Sequence, residues 1–148
     1  MSNDSAKTLS NILVAVDGSA CADKAFESAA ELARRFGSKL SALCVVHVPL
    51  MLGVDENTVR AVQSQLQVEA GLALSRYHTL AKSKHGLEVE TILAEGYPSK
   101  VIVDNANAKD IDLIVIGSRG LSGAKGVFLG SVSHDVVRNA KQPVLVVR

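Results

Sequence analysis

Aromatic residues make up only 3% of this 148-residue chain, and tryptophan is absent. A protein that stacks successive bases needs such rings, and a nucleic-acid binder usually concentrates positive charge as well. The formal charge is +1, with no basic tract beyond Arg34-Arg35. Nucleic acid is therefore not the expected partner. Cysteine is scarce too: Cys21 and Cys44 form neither a CxxC motif nor a disulfide framework, which fits a reducing cytoplasm. No apolar run approaches the ~20 residues of a membrane span. Residues 1–10 are polar and lack the apolar core of a secretory signal, so they are expected to form a flexible tail before a single domain over residues 11–148. Apolar residues reach 47% against 21% charged, which argues for a packed core rather than disorder. A domain of this size buries roughly 68–70% of its unfolded surface.

What the chain does have is a glycine-rich stretch near its C-terminal end. Residues 111–116 form a β-branched apolar run, short enough for a buried strand. Gly117, Gly120, Gly123, Gly126 and Gly130 follow, then Ser131 and an apolar-periodic segment. Glycine lets a ligand approach the backbone closely. Ser131 is the expected N-cap of a helix whose start would offer unbonded N–H groups and a positive dipole end. Strand, glycine loop and helix N-terminus in this order make an anion pocket, and a nucleotide phosphate is its natural guest. Two familiar phosphate motifs are excluded. A P-loop needs a lysine–hydroxyl pair that the 120–126 segment does not supply, and the dinucleotide fingerprint position after the first strand reads DGSACA.

The rest of the chain alternates. Strands are expected at residues 11–16, 39–48, 87–94, 111–116 and 143–147, with helices at about 22–36, 58–85, 98–109 and 131–139. Nearly all-apolar strands separated by helices call for a parallel sheet covered on both faces. Right-handed crossovers limit this to a doubly wound α/β fold, with the ligand beyond the carboxyl ends of the strands at the switch point. Asp17, His47, the Glu95-Gly96 pair and the Gly117-Ser118 pair end those strands.

At Gly117-x-x-Gly120, nine residues, then Gly130-Ser131, the chain resembles the ATP-binding branch of the universal stress protein family. The likeness extends to VAVDGS after the first strand, VHV ending the second, EGxP before the third helix, and the PVLVV terminus. It implies a five-stranded sheet of order 3-2-1-4-5 and ATP held between strands one and four. By the same resemblance Ala15, Val16 and Asp17 face the adenosine, and Leu43 lies beside the base through its backbone. Ile116, Gly117, Arg119 and Gly120 wrap the ribose and first phosphates, while Gly130, Ser131, Val132 and Ser133 hold the outer ones. Mg2+ or Mn2+ would ride on the phosphates, since no protein metal cage is visible. Edge-strand physics and the family together imply a homodimer through the strand at 144–147.

Plainer roles stand beside these. The loop is at minimum a connector, Asp17 a helix cap, and Arg119 and Lys125 solvated charges. His47 is expected to be packed and hydrogen-bonded, His78, His85 and His134 to be surface residues, Cys21 filler and Cys44 core. No nucleophile–base pair or carboxylate pair marks a catalytic set. A nucleotide-dependent regulatory module in the stress response is therefore the first functional reading. A slow ATPase or a phosphotransferase autophosphorylating on Ser118, Ser122 or Ser131, and a cAMP-binding or ligand-free interaction protein, are the alternatives.

Overall fold

The computed structural model describes residues 8–120 and 129–148. Its strands are β1 (Asn11–Ala15), β2 (Lys39–Val46), β3 (Val89–Glu95), β4 (Leu113–Gly117) and β5 (Val144–Val147). Its helices are α1 (Ala20–Phe36), α2 (Glu56–Leu80), α3 (Pro98–Ala108) and α4 (Ser131–Asn139). All strand pairings are parallel, in the order β3-β2-β1-β4-β5. The switch point lies between β1 and β4, as the family resemblance implies.

Strand alternation sends Ile12 and Val14 to one face with Leu40, Ala42, Cys44 and Val115, where α1 and α2 cover them. Leu13, Ala15, Leu43, Ile114 and Ile116 point to the other face, under α3 and α4. The alanines of α1 bring that helix close: Ala22, Ala25, Ala29, Ala30 and Ala33 are all buried. Ser19 caps α1 by accepting the Ala22 N–H at 3.1 Å. Gly37 stops it at φ 66°, donating its N–H to the Ala33 carbonyl. Asp55 caps α2 through the Thr58 N–H, and Pro98 opens α3 where its missing N–H costs nothing.

Several boundaries differ from the periodicity. The β1 ladder stops at Ala15 and β2 at Val46. Strand β3 begins only at Val89, two residues after the apolar run does. Strand β4 begins at Leu113 because Asp112 ties down the chain ahead of β1, its carboxylate accepting the Ser10 and Asn11 N–H groups, both at 2.9 Å. The β5 ladder starts at Val144, and the Pro143 carbonyl accepts the Ile114 N–H just before it. The last turn of the long second helix widens into a π-helical turn, Ala81–His85, ended by Gly86 at φ 65°. Leu9 and Ser10 are also fastened, through their carbonyls, to the Ser38 hydroxyl and the Lys39 N–H. No described helix is long and apolar enough to cross a membrane.

Candidate functional site

The carboxyl ends of β1 and β4 meet at the switch point, and α4 starts beside them. From β1 the chain turns through Asp17 and Gly18 into α1, with Gly18 at φ 84°. Asp17 Oδ1 accepts the Ser19 N–H at 2.9 Å, so Asp17 shapes this turn and the capping role belongs to Ser19. The Asp17 carboxylate also lies against Gly120: a Cβ built there would stand 2.5 Å from Oδ2. The β1 turn and the segment leaving β4 are thus in direct contact.

The outgoing end of β4 is fastened to the start of α4. The Ser118 carbonyl accepts the Gly130 N–H at 2.6 Å and the Ser133 hydroxyl at 3.0 Å. That hydroxyl shares its proton with the Gly130 carbonyl, also at 3.0 Å. A Cβ on Gly130 would come to 3.2 Å of the Ser118 oxygen, so glycine is what allows the approach. Gly130 rather than Ser131 holds the N-cap position; Ser131 is already helical and exposed. The expected serine cap is overturned because the short Gly130–Ser118 bond brings the chain into the helix one residue earlier. The His134 N–H begins the α4 ladder by bonding the Gly130 carbonyl. The N–H groups of Ser131, Val132 and Ser133 precede that bond and have no backbone partner and no side-chain cap among the described residues.

The Arg119 backbone passes close to the helix start, its Cα 3.6 Å from a Cβ built on Gly130. Arg119 is half-buried and has no ion pair or side-chain hydrogen bond among the described residues. Lys125 and Ser122, with Gly123 and Gly126, lie outside the described residues. Ala15, Val16, Leu43 and Ile116 are buried core residues at the carboxyl-terminal side of the sheet. The Leu43 carbonyl accepts the Val16 N–H at 2.9 Å, which carries the β1–β2 pairing one residue past the strand. Gly117 has a use invisible in the sequence: a Cβ there would sit 2.9 Å from Cys21 carbon atoms, so the start of α1 rests directly on β4.

The remaining expectations divide. Cys44 is buried, and burial followed by the charge of Asp17 pushes its thiol up to about 11, which makes it inert core. Cys21 packs with its sulfur 3.9 Å from the Ser118 hydroxyl. His47 is not packed: it is exposed, with the Tyr97 ring edge-on to its own at 5.8 Å. It stands beyond the end of β2, past the last residue that the neighbouring strands cover. His85 is not a surface residue: its side chain is 8% exposed and bonded to Glu27 at 3.0 Å. The widened turn at the end of α2 rotates it inward. Among the described residues no group of three or more histidines, cysteines or carboxylates is placed to hold a metal.

A doubly wound parallel sheet with a helix start clasped to its switch point belongs to the class of α/β proteins whose ligands bind beyond the carboxyl ends of the strands. Comparison with known proteins carries this further. The model of the universal stress protein family matches residues 8–148, and the chain belongs to that family. It is 37% identical to universal stress protein YxiE of Bacillus subtilis, over 93% of this chain and 97% of the relative. Among solved structures it is similar to UspA from Lactobacillus plantarum, with a TM-score of 0.87, 30% identity, and 95% and 98% of the two chains covered. A universal stress protein in complex with cAMP superposes with a TM-score of 0.73 at 26% identity, over 95% of this chain and 98% of that one. One from Archaeoglobus fulgidus in complex with dAMP gives 0.68 at 30% identity, over 95% and 99%.

Proposed function

We propose that this protein binds ATP at the β1–β4 switch point and serves as a nucleotide-dependent regulatory module rather than as an efficient enzyme. The observation that supports this best is the Ser118 clasp. It sets the N–H groups of Ser131, Val132 and Ser133, unbonded among the described residues, beside the end of β4 and close in sequence to the Arg119 guanidinium. In this reading Ala15, Val16, Asp17 and the Leu43 backbone meet the adenosine, Ile116, Gly117, Arg119 and Gly120 the ribose and inner phosphates, and residues 130–133 the outer phosphates. The Gly130 N–H and the Ser133 hydroxyl proton are already engaged, so their contribution is to place the neighbouring amides. A divalent ion would sit on the phosphates, because the described residues offer donors for anions and no carboxylate cage.

Magnitudes decide how the affinity divides. A helix start gives an anion ~0.3–1 kcal/mol when exposed and up to ~2 when partly buried. Micromolar binding needs about 8 kcal/mol. Burial of the adenine and charge-assisted bonds from Arg119 must therefore supply most of it. Isothermal titration with ATP-Mg2+ should give micromolar binding, and Gly130→Val should abolish it by pushing α4 away from the Ser118 carbonyl. An unchanged affinity in that variant would remove the site from this loop.

A second reading is that an adenosine monophosphate is the resident ligand, since two structural relatives were solved with cAMP and dAMP. Titrating ATP, cAMP and dAMP in parallel separates the two. A preference for ATP needs the α4 amides, and equal affinities would assign binding to the adenosine end alone.

The proposed assembly is a homodimer through β5. The Pro143 carbonyl accepts the Ile114 N–H and the Val147 carbonyl the Ser118 N–H, so by strand alternation the backbone groups of Val144 and Val146 point outward from the open edge. Val146→Pro removes an outward donor while sparing the β4 ladder. It should convert a dimer to a monomer by light scattering, and an unchanged mass would place the interface elsewhere.

A further inference from the structure

A second cleft opens on the same edge of the sheet, beyond the ends of β2 and β3 and outside the β1–β4 crevice. It is a shallow cleft open to solvent, of about 440 Å³, lined by Val46, His47, Val48, Gln63, Glu95 and Tyr97, with Gly96 in its floor. That volume lies within the range of small-molecule sites. The floor is fixed: the Gly96 N–H donates to the Val46 carbonyl at 3.1 Å. Gly96 sits at φ 139°, where a Cβ would meet the Val101 side chain at 2.9 Å.

The chemistry of the wall is specific. Among the described residues Glu95 is the single carboxylate in it, and no lysine or arginine lines it. Two amides from α2 orient that carboxylate. Gln63 donates to Oε1 at 2.9 Å and to Oε2 at 3.2 Å, and Gln67 donates to Oε1 by a shorter bond. These bonds hold the Glu95 pKa below the ordinary carboxylate value, so it is an anion at neutral pH. Neutral amides leave its charge uncompensated, and no cationic side chain pairs with it among the described residues. Ionised, it has about four acceptor positions, and Oε2 receives only the one long bond. Beside it stand the Tyr97 ring, 57% exposed, and the His47 ring set edge-on to it. Aromatic faces, two valines and one oriented carboxylate are what an organic cation with an apolar body requires. A metal ion is poorly served, because no set of three donor side chains gathers here among the described residues.

We infer that the cleft between the ends of β2 and β3 binds a small primary amine, its ammonium on Glu95 Oε2 and its apolar body against Tyr97, Val46 and Val48. A primary amine is favoured over a quaternary one because only an N–H can use the remaining acceptor position on Oε2. The site stands on its own residues and is independent of any nucleotide at β1–β4.

The test is a titration of the ¹⁵N-labelled full chain, followed by NMR, with 2-phenylethylamine as probe and 2-phenylethanol as its uncharged counterpart. The amine should shift the amides of His47, Gly96 and Tyr97, and the alcohol should bind about tenfold more weakly. Glu95→Gln keeps the shape and the exposed position, and should weaken the amine to the level of the alcohol. Tyr97→Ala, at a helix cap position without a side-chain bond, should weaken both probes several-fold. Equal binding of amine and alcohol, or unchanged amine binding in Glu95→Gln, overturns the assignment. Saturating ATP should leave the amine shifts in place; their loss would show the cleft to be an outer wall of the nucleotide site and overturn a separate one.

Discussion

The two faces of the sheet are covered to different depths. Over one face, α1 and α2 bring Phe26 and Tyr77, both fully buried, with ring centroids 4.8 Å apart. The Tyr77 hydroxyl donates to Asp23 at 2.5 Å, and Arg76 lies over the Tyr77 ring while bonding the same carboxylate at 2.8 Å. Over the other face, the helices contribute Ile102, Ala106 and Val136 and, among the described residues, no ring. Helix α4 buries only Ser133 and Val136. The helix whose amides are proposed to hold phosphate therefore belongs to the thinner layer. Elements that must answer a ligand come from the less stable part of a fold, and the more stable part supplies the frame.

The contrast can be tested by variants taken from the largest expected effect downward. Tyr77→Ala removes a ring and its polar anchor from the thicker layer and should cost about 3–5 kcal/mol. Ile102→Ala, its counterpart under α3, should cost about 2–3 kcal/mol. Urea unfolding of both gives the ranking, and the reverse order would show the α3–α4 layer to be the more stable one. Gly117→Ala pushes a Cβ into the Cys21 backbone, and should cost roughly 1–3 kcal/mol by overpacking α1 against β4. If its melting temperature matches the parent, the close approach is not structural.

Smaller still is the loss of single hydrogen bonds. Tyr77→Phe should cost about 1–2 kcal/mol. It also carries a pH signature. Burial alone would raise Asp23, but the bonds from Arg76 and Tyr77 outweigh it, so its folded pKa lies below the ordinary 3.8. A depressed carboxylate adds stability above its unfolded pKa and loses it as pH falls through the folded one. Parent stability should therefore decline below about pH 4, and less steeply in Tyr77→Phe. Parallel pH curves would exclude the tyrosine from this linkage. Ser133→Ala should have the smallest global effect, about 1 kcal/mol, and a larger local one. Hydrogen exchange at the Gly130 amide should quicken while the β1 amides keep their rates; protection retained at Gly130 would mean that the Ser118 carbonyl holds it without the hydroxyl.

The order of elements and the doubly wound class were readable from the chain because local signals coincided with tertiary need, whereas the strand order 3-2-1-4-5 came through the family resemblance. Gly37 and Gly86 each ended a helix in the left-handed region that only glycine enters easily. Pro98 opened α3 as its fixed φ suggests. The candidate site was harder to read. Glycine after β4 reads as space for a ligand, yet the place a side chain would take at Gly117 is filled by α1, which leaves only its backbone to meet one, an approach that no local pattern encodes. Ser131 has the composition of a cap, but the long-range bond from Gly130 to Ser118 decided where the helix begins. His85 looked solvent-facing because its inward position depends on a π turn, which leaves no mark on an α-helical periodicity. Ser118 was noticed for its hydroxyl, whereas its carbonyl is what organises the crevice.

That carbonyl has a further consequence. Because the end of β4 and the start of α4 are joined to each other directly, two bonds to one oxygen place the helix start by a route that bypasses the chain between them. A variant rewritten between residues 121 and 128 at constant length should therefore alter the proposed anion end before it alters the stability of the domain that carries it.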